Sequence, residues 1–330
     1  MNSKLKNRDR RRLISAAAAS VVVDAFNPSW AQSAWPSKTL RLIVPYPPGG
    51  GTDLVARMLA QKLSQTLGQQ VVVDNKPGAS TIIGTELTAK AAPDGYTFGL
   101  VTDSHAINPT FFPKLPYDST KDFSFISQLV NVPLMMVANP SLNIKSLREF
   151  IAFAKAQPKT INYASIGNGT PHQLAMELLR VGANIELTHI SYKGVAPALA
   201  DVLAGHVQVM FTGTSSAAPY IKDGRLVPLA ISSAKRQQSF PNIPAVSEVL
   251  PDYEFVTWYG VVGPAGLPRE ISQRLSKEIA AVMALPDVKE KLTGMGVEAA
   301  PSTPDDFSSF MRRQTSSFSR MVQLTGVKPD

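Results

Sequence analysis

Residues 40–53 read LRLIVPYPPGGGTD, and this stretch decides the fold class. Leu40 to Val44 is rich in apolar and β-branched residues, which predicts a buried strand that Pro45 ends. The helix predicted to follow over residues 52–67 has one apolar face and a stop at Gly68. That face consists of Leu54, Val55, Met58, Leu59, Leu63 and Leu67. A strand that leads through glycines into a helix is the repeating unit of an α/β fold.

The same succession of strand, turn and helix continues to the C-terminus. Strands are predicted at residues 71–73, 96–102, 134–138, 161–165, 187–192, 207–211, 226–232 and 256–262. Helices are predicted at residues 80–91, 146–157, 171–182, 195–204 and 215–223, and beyond Pro268 with breaks at Pro286 and around residues 294–304. Strands that alternate with helices predict mainly parallel sheets covered on both faces.

The N-terminus reads as an export signal. Residues 1–12 carry six basic side chains, an uncharged apolar run of 11 residues follows, and then the small residues Ala31 and Ser33. Eleven residues are too few to cross a bilayer, which takes about 20. This order predicts a signal peptide over residues 1–33, cleaved near Ser33, and a periplasmic protein. The run Arg10-Arg11-Arg12 also fits a twin-arginine signal, so that route and ordinary secretion both stay open.

Charge and composition exclude several classes of protein. Residues 1–33 account for +4 of the net charge of +8, and no basic block remains beyond them. Nucleic acid and a polybasic membrane patch are therefore not expected as partners. The chain has no cysteine, which excludes a thiol nucleophile and cysteine-bound metals, and no metal or other cofactor is expected. The length beyond residue 33 is near the upper limit for one core, so two lobes are expected.

Four loops that follow predicted strands are candidate ligand contacts. In open α/β sheets ligands bind beyond the carboxyl ends of strands, where unpaired helix N–H groups suit an anion. For each loop the alternative is ordinary helix capping, and His172 could instead pack within its own loop. The candidate residues are Tyr46, Pro48, Gly49, Gly50, Thr52, Asp53, Thr102, Ser104, Ser165, Asn168, Gly169, Thr170, His172, Thr212 and Gly213.

Several loops must act together to hold a ligand. One helix terminus contributes about 1 kcal/mol to an anion, whereas micromolar binding needs about 8 kcal/mol. This difference favours a cleft between two lobes over a surface groove.

A catalytic function has little support in the motifs. The sequence contains no Gly-x-Ser-x-Gly and no His-Glu-x-x-His, and none of its four histidines is paired at metal-ligand spacing. A Ser–His–Asp set stays open because triads are spatial. The chain is therefore not expected to be an enzyme, with a secreted α/β hydrolase as the weaker alternative.

At these loops the sequence resembles the Bug family, the TctC-like extracytoplasmic receptors of tripartite tricarboxylate transporters. The resemblance runs from about Trp35 to the C-terminal helices and is specific because many short motifs occur in order. These motifs are Trp35-Pro36-x-Lys38, residues 42–46 (LIVPY), Pro48-Gly49-Gly50-x-x-Asp53, residues 73–79 (VDNKPGA), residues 93–97 (PDGYT), Asn108-Pro109, residues 163–172 (YASIGNGTPH), His189-x-x-Tyr192-Lys193-Gly194 and residues 260–268 (GVVGPAGLP).

The resemblance implies a two-lobed periplasmic-binding-protein fold of type II, a Venus flytrap. It implies a first lobe of residues 37–132 plus 254–330 and a second of residues 133–253. It further implies a small carboxylate held by main-chain contacts from Pro48–Gly50 and polar contacts from residues 165–170, and two integral-membrane transporter subunits as partners. A monomer is expected. A sensory receptor of the same fold is an alternative that the sequence does not separate from a transport receptor.

Two departures from the family pattern bear on the ligand. Ser191 stands where the family usually has proline, and Thr212 stands where it often has aspartate. Because an acid there could pair with a ligand ammonium group, its loss predicts an organic acid without an amino group. Lys193 could either contact the ligand carboxylate or form a structural ion pair at the edge of the cleft.

Overall fold

The computed structural model describes residues 35–112 and 114–328, and the part from Lys38 onward is one compact unit. The predicted signal peptide lies outside these residues. The described strands are β1 (Leu40–Val44), β2 (Val71–Asn75), β3 (Thr97–Thr102), β4 (Phe123–Ala138), β5 (Asn162–Ser165), β6 (Thr188–Ser191), β7 (Val209–Gly213), β8 (Val227–Ile231), β9 (Val256–Pro264) and β10 (Glu298–Ala299). The described α-helices are α1 (Gly51–Leu67), α2 (Ile82–Ala89), α3 (Ser104–Phe111), α4 (Leu147–Ala156), α5 (Pro171–Ala183), α6 (Val195–Ala204), α7 (Thr214–Lys222), α8 (Arg269–Ala284), α9 (Pro286–Gly294) and α10 (Pro304–Thr325).

The strands form two parallel groups joined by antiparallel strands. The path runs β2-β1-β3-β9-β4-β7-β5-β6, with β8 and β10 also paired to β4. Pairing is parallel within β2-β1-β3 and within β7-β5-β6, and antiparallel wherever β4 or β9 takes part. The predicted α/β class is confirmed, and the parallel strands lie in the two outer groups.

Strand β4 passes from one group to the other. Residues 123–133 pair with β9, and residues 134–138 pair with β7 and β8. Only residues 134–138 were predicted as a strand, because register shifts near Ser127 and Val130 disturb the alternation of the first half. The change of partners after Pro133 lies at the predicted lobe boundary, and the division into lobes itself stays a prediction.

One helical prediction needs correction, and one helix was not predicted. The helix predicted over residues 80–91 begins at Ile82, because Ala79, Ser80 and Thr81 have left-handed backbone angles. Helix α3 was not predicted, since Pro109 inside it is normally a helix breaker.

Helix α10 packs against strand β4 and against helices α3 and α5. Phe307 is fully buried beside Phe125 and Trp258, with both ring pairs in edge-to-face contact. The described helices include none that is both long enough and apolar enough to span a membrane.

The cap of α10 gives a first test of stability. Thr303 Oγ1 accepts a hydrogen bond of 3.2 Å from the Asp306 N–H. We expect Thr303→Ala to lower the free energy of unfolding by about 1 kcal/mol, the usual contribution of an N-cap. Thr303→Ser keeps the acceptor and should stay close to wild type in urea unfolding. Equal losses for both variants would contradict a capping role.

Candidate functional site

A cavity of about 750 Å³ lies at the carboxyl ends of β1, β3, β5 and β7. The loops that follow these four strands supply much of its wall, which is where parallel strands place a ligand site. Its apolar side includes Ile107, Phe111, Val132, Leu134, Ile166, Met295 and Val297. Its hydroxyl groups belong to Tyr46, Thr52, Ser80, Thr81, Thr102, Ser104, Thr170, Ser215, Ser216, Thr257 and Tyr259.

Nine of the predicted ligand residues line this cavity. They are Tyr46, Thr52, Thr102, Ser104, Asn168, Gly169, Thr170, His172 and Gly213. The remaining seven lie outside its wall, namely Pro48, Gly49, Gly50, Asp53, Ser165, Lys193 and Thr212. That the nine bind a ligand stays a prediction.

Four helices begin at the cavity without a side-chain cap. Residues of the first turn of α1, α5, α6 and α7 line the wall, and no side chain of the described residues caps any of the four. The unpaired N–H groups and the positive ends of these helix dipoles therefore face one space. Such an arrangement suits an anion.

Asp53 holds the first glycine loop in place. Its carboxylate accepts the Gly49 N–H at 2.9 Å, Arg57 Nε at 2.8 Å and Asn75 Nδ2 at 2.9 Å. Asn75 Nδ2 also donates to the Tyr46 carbonyl at 3.0 Å. Burial raises the pKa of Asp53, but hydrogen bonds from Arg57, Gly49 and Asn75 outweigh it, so the pKa lies below the ordinary 3.8. Asp53 is thus a structural residue and not, as predicted, part of the cavity wall.

The main-chain N–H groups of the first glycine loop that lie at the cavity are not those of the predicted residues Pro48–Gly50. Pro48 has no N–H, and the Gly49 N–H is already bonded to Asp53. Gly51 and Thr52, the first residues of α1, line the cavity instead. The start of α1, and not Pro48–Gly50, therefore lines the cavity, and main-chain contacts to a ligand stay a prediction.

The second glycine loop is held by three side chains below the cavity. Ser165 Oγ donates to the Gly167 carbonyl at 3.0 Å and lies 2.6 Å from His189 Nε2. Gln173 accepts the Gly169 N–H through Oε1 at 2.7 Å, and its Nε2 lies 3.2 Å from His189 Nδ1. Ser165 is fully buried and lies outside the cavity wall, so nothing in the structure supports its predicted contact with the ligand.

The hydrogen bonds of Gln173 fix the roles of the His189 nitrogens. Because Oε1 accepts from Gly169, the Gln173 amide group beside Nδ1 is the donor, and Nδ1 is the acceptor. His189 Nε2 then carries the proton and donates to Ser165 Oγ. A histidine in this form is not a base for that serine.

Tyr46, Thr102 and Ser104 form a hydroxyl cluster on the wall. The Tyr46 hydroxyl lies 2.7 Å from Thr102 Oγ1 and 3.5 Å from Ser104 Oγ, and the Ser104 N–H donates to Thr102 Oγ1 at 3.3 Å. Burial, with a smaller effect from the charge of Asp103, raises the pKa of Tyr46 to about 12. The cluster is therefore uncharged at neutral pH.

The described wall contains no lysine, arginine or glutamate. Its ionisable groups, tyrosines aside, are Asp103 and His172. Burial lowers the pKa of His172 to about 4, so this side chain is neutral at pH 7. No described group of histidine and acidic side chains could hold a metal ion. An anion in this cavity would be held by N–H and hydroxyl groups.

Lys193 and Thr212 both lie outside the cavity wall. Lys193 is exposed and does not line the cavity. Thr212 lies inside β7, fully buried, with a hydroxyl that has no partner among the described residues. Because Thr212 is fully buried and lies outside the cavity wall, the absence of an acid there does not indicate the chemistry of the ligand.

Asp103 and Tyr259 are among the wall residues that the predicted contacts did not include. Asp103 lies in the candidate loop Thr102-Asp103-Ser104 at the end of a predicted strand, between two predicted contacts, but was not itself named as a contact. Tyr259 lies on β9, which reaches the cavity only because it inserts antiparallel beside β3. No local pattern in the sequence indicates that insertion.

Comparisons with known proteins agree on one family. The model of the tripartite tricarboxylate transporter family receptor, TctC, matches residues 55–327. Protein BugT of Bordetella pertussis is 35% identical over 297 residues, 89% of this chain and 91% of BugT. A UPF0065 protein from the tcbD–tcbE intergenic region of Pseudomonas sp. strain P51 is 33% identical over 96% of this chain and 95% of its own.

Solved structures give the same result. R. palustris Rpa4515 with adipate is 31% identical, with a TM-score of 0.81 over 90% of this chain and 100% of its own. The periplasmic binding protein BugD is 29% identical, with a TM-score of 0.78 over 90% and 100%. MatC from Rhodopseudomonas palustris with bound malate is 27% identical, with a TM-score of 0.74 over 87% and 100%. The chain belongs to the tripartite tricarboxylate transporter receptor family, the TctC family to which its motifs pointed.

Proposed function

We propose that this chain is a periplasmic receptor that binds a small organic carboxylate in the 750 Å³ cavity. The observation that carries the proposal is the convergence of four helix N-termini without side-chain caps, in a wall whose described residues include no lysine or arginine. At about 1 kcal/mol each, the four termini supply roughly half of the 8 kcal/mol of micromolar binding. Hydroxyl contacts and burial of the ligand supply the rest.

The ligand is proposed to carry a hydrocarbon body and no amino group. The apolar side of the cavity, with Phe111, Leu134 and Met295, favours such a body. Adipate and malate in the structures of two relatives support a carboxylate of this size. The preference for a ligand without an amino group is supported by the apolar lining. It is not supported by threonine in place of aspartate at residue 212, because Thr212 lies outside the wall.

The delivery of the ligand is proposed from the family. Residues 37–132 with 254–330 and residues 133–253 would be two lobes that close on the ligand, joined at β4 and β9. The closed form would be recognised by two integral-membrane subunits. Export by a signal peptide cleaved near Ser33 and action as a monomer complete the proposal.

A thermal-shift screen tests the carboxylate. An acid at 100 times its Kd should add about 2.7 kcal/mol to the free energy of unfolding, a clear rise in Tm. The panel holds succinate, malate, glutarate, adipate and benzoate, each with its amide as an uncharged control. Shifts with neutral sugars alone, or equal shifts with acid and amide, would exclude a carboxylate receptor.

The hydrolase alternative is disfavoured by the contact between the Ser165 hydroxyl and His189. Ser165 Oγ lies 2.6 Å from His189 Nε2, but Gln173 holds His189 in the form that donates to this serine. Ser165 is also fully buried and outside the cavity wall. Hydrolysis of acyl esters by the purified chain would overturn this reading. The alternative of a sensory receptor is supported by no particular contact, and the genes beside this one would separate it from transport.

A further inference from the structure

Asp103 is an acid with an unused oxygen on the wall of an anion site. It lies between β3 and α3, is 3% exposed and lines the cavity. Its Oδ1 accepts the Ser104 N–H at 3.1 Å, which is the cap of α3. Its Oδ2 has no hydrogen-bond partner among the described residues. Capping therefore accounts for one of the two carboxyl oxygens.

The groups that face Asp103 do not supply a positive charge. Tyr46, from the loop after β1, and Tyr259, from β9, both have a pKa raised by burial and by the negative charge of Asp103. His172, at the start of α5, is neutral at pH 7. His105, on α3 itself, bonds the Ser119 carbonyl at 2.8 Å, and burial lowers its pKa to about 4.

The nearest charged side chains on α1 also leave Asp103 unpaired. Asp53 and Arg57 form a pair at 2.8 Å, and Arg57 makes its other hydrogen bond to Asn75. Burial without a cation is consistent with the pKa of Asp103, which is raised to about 7. Hydrogen bonds from the Thr102 side chain and from the N–H groups of Ser104 and Asp103 itself lower this pKa, and they offset burial only in part.

An ionised ligand makes the charged form of Asp103 less favourable still. Two carboxylates that share one buried site cannot both stay ionised at low cost, and one of them takes up a proton. The ligand carboxylate faces four helix N-termini, whereas Asp103 caps only the N-terminus of α3, so the ligand keeps its charge. The proton then belongs on Asp103, whose Oδ2 becomes an O–H donor.

We propose that Asp103 binds the ligand carboxylate as a neutral carboxylic acid, through an Oδ2–H donor, and takes up a proton on binding above neutral pH. This inference rests on the proposed function. It makes Asp103 a specificity-determining residue that favours acids and disfavours ligands with an ammonium group.

The pH dependence of binding follows from the fraction of protein that is protonated at Asp103. With a pKa of about 7 for Asp103, about three quarters of the unliganded protein carries a proton on this side chain at pH 6.5, and about 3% does so at pH 8.5. The Kd for a carboxylate should therefore rise roughly 25-fold over this range. The probes are adipate, malate, succinate and glutarate, in isothermal titration calorimetry of the mature chain.

Calorimetry also counts the proton without any mutation. At pH 8.5 we expect uptake of about one proton per ligand, obtained from the binding heats in two buffers of different ionisation enthalpy. Asp103→Asn keeps the acceptor for the Ser104 N–H and places an N–H donor at the second position. We expect it to bind with a Kd that does not change with pH and with no proton uptake. Asp223→Asn, at an exposed acid, is the matched control and should behave as wild type.

Three results would overturn the inference. The first is wild-type binding of these acids with a Kd that is constant from pH 6.5 to 8.5 and without proton uptake. The second is tight binding of glutamate that Asp103→Asn abolishes, since Asp103 would then accept from an ammonium group. The third is no binding of any acid at any pH by either protein, which would overturn the proposed function as well and is thereby distinguished from the first.

Discussion

Replacing Asp53 by alanine is expected to lower the free energy of unfolding by about 3 kcal/mol and to weaken carboxylate binding by on the order of a hundredfold. Asp53 is 2% exposed and joins the Gly49 N–H, Arg57 and Asn75. Its removal takes the acceptor away from the Gly49 N–H and from the Asn75 side-chain amide, and it separates the loop from the end of β2. Arg57 is half exposed and can be solvated, so we expect a loss at the low end for buried charge pairs.

The effect on binding arises from the order of the glycine loop. Without Asp53, residues 47–50 lose the contact that positions the start of α1. Ordering a residue costs about 1–2 kcal/mol, so two residues ordered only on binding account for about 2.7 kcal/mol, a hundredfold. The measurement is urea unfolding together with calorimetry of the acid that gives the largest thermal shift.

Asp287→Ala is the matched control for Asp53→Ala. Asp287 pairs with Lys62 of the same helix α1 at 2.6 Å, but it is half exposed, so its loss should cost less than about 1 kcal/mol. Ligand affinity should not change. Wild-type affinity in Asp53→Ala, with only stability lost, would contradict the role of Asp53 in shaping the site.

The difference in the free energy of unfolding between wild type and Asp53→Ala should shrink as the pH falls. The pKa of Asp53 in the folded protein lies below its ordinary 3.8, so the ionised form is bound more favourably by the fold. The contribution is present in full above pH 3.8 and is lost as pH falls through the lower folded value. The unfolding free energies of the two proteins should therefore converge in acid.

The sequence predicted the regular parts of the fold because periodicity is a local property. The helical face of α1 and the strands at 40–44 and 96–102 follow from patterns within about fifteen residues. The first half of β4 was not predicted, since its bulges break the alternation that a strand predictor needs. The antiparallel insertion of β9 depends on pairings between residues more than a hundred positions apart, such as Val132 and Thr257.

The site was predicted to the level of its loops and not of its individual contacts. The glycines after β1 and β5 correctly indicated which strand ends meet at the cavity. Asp53 was wrongly placed on its wall, because the carboxylate bonds Asn75 at the end of another strand, 22 residues away. In the same way Ser165 bonds His189, which a local reading of residues 165–170 does not include.

Gly296→Ala should weaken ligand binding by about a hundredfold while lowering the stability of the unliganded protein by only about 1 kcal/mol. A Cβ at Gly296 would lie 1.6 Å from Thr214 Oγ1 and 2.8 Å from Thr214 Cβ. Thr214 is buried at the start of α7, next to the wall residue Gly213, and Gly296 lies between the wall residues Met295 and Val297. In the proposed division these residues belong to different lobes, whose walls would therefore meet at this contact, where the Gly296 carbonyl also accepts from Thr214 and Gln237.

The separation of the two effects follows from the proposed closure of the lobes. Gly296 has φ +66, where alanine costs about 1 kcal/mol in any arrangement of the lobes. The clash with Thr214 arises only when the walls meet, so the open form of the unliganded protein avoids it. The closed, liganded form bears a cost of about 2.7 kcal/mol, which corresponds to a hundredfold higher Kd.

Gly294→Ala is the matched control, because no atom lies near the added Cβ, and it should leave both affinity and closure unchanged. Small-angle scattering of Gly296→Ala should show the larger radius of an open form at a ligand concentration that closes the wild type. Wild-type affinity in this variant would mean that the walls do not have to meet at Gly296 for the ligand to bind.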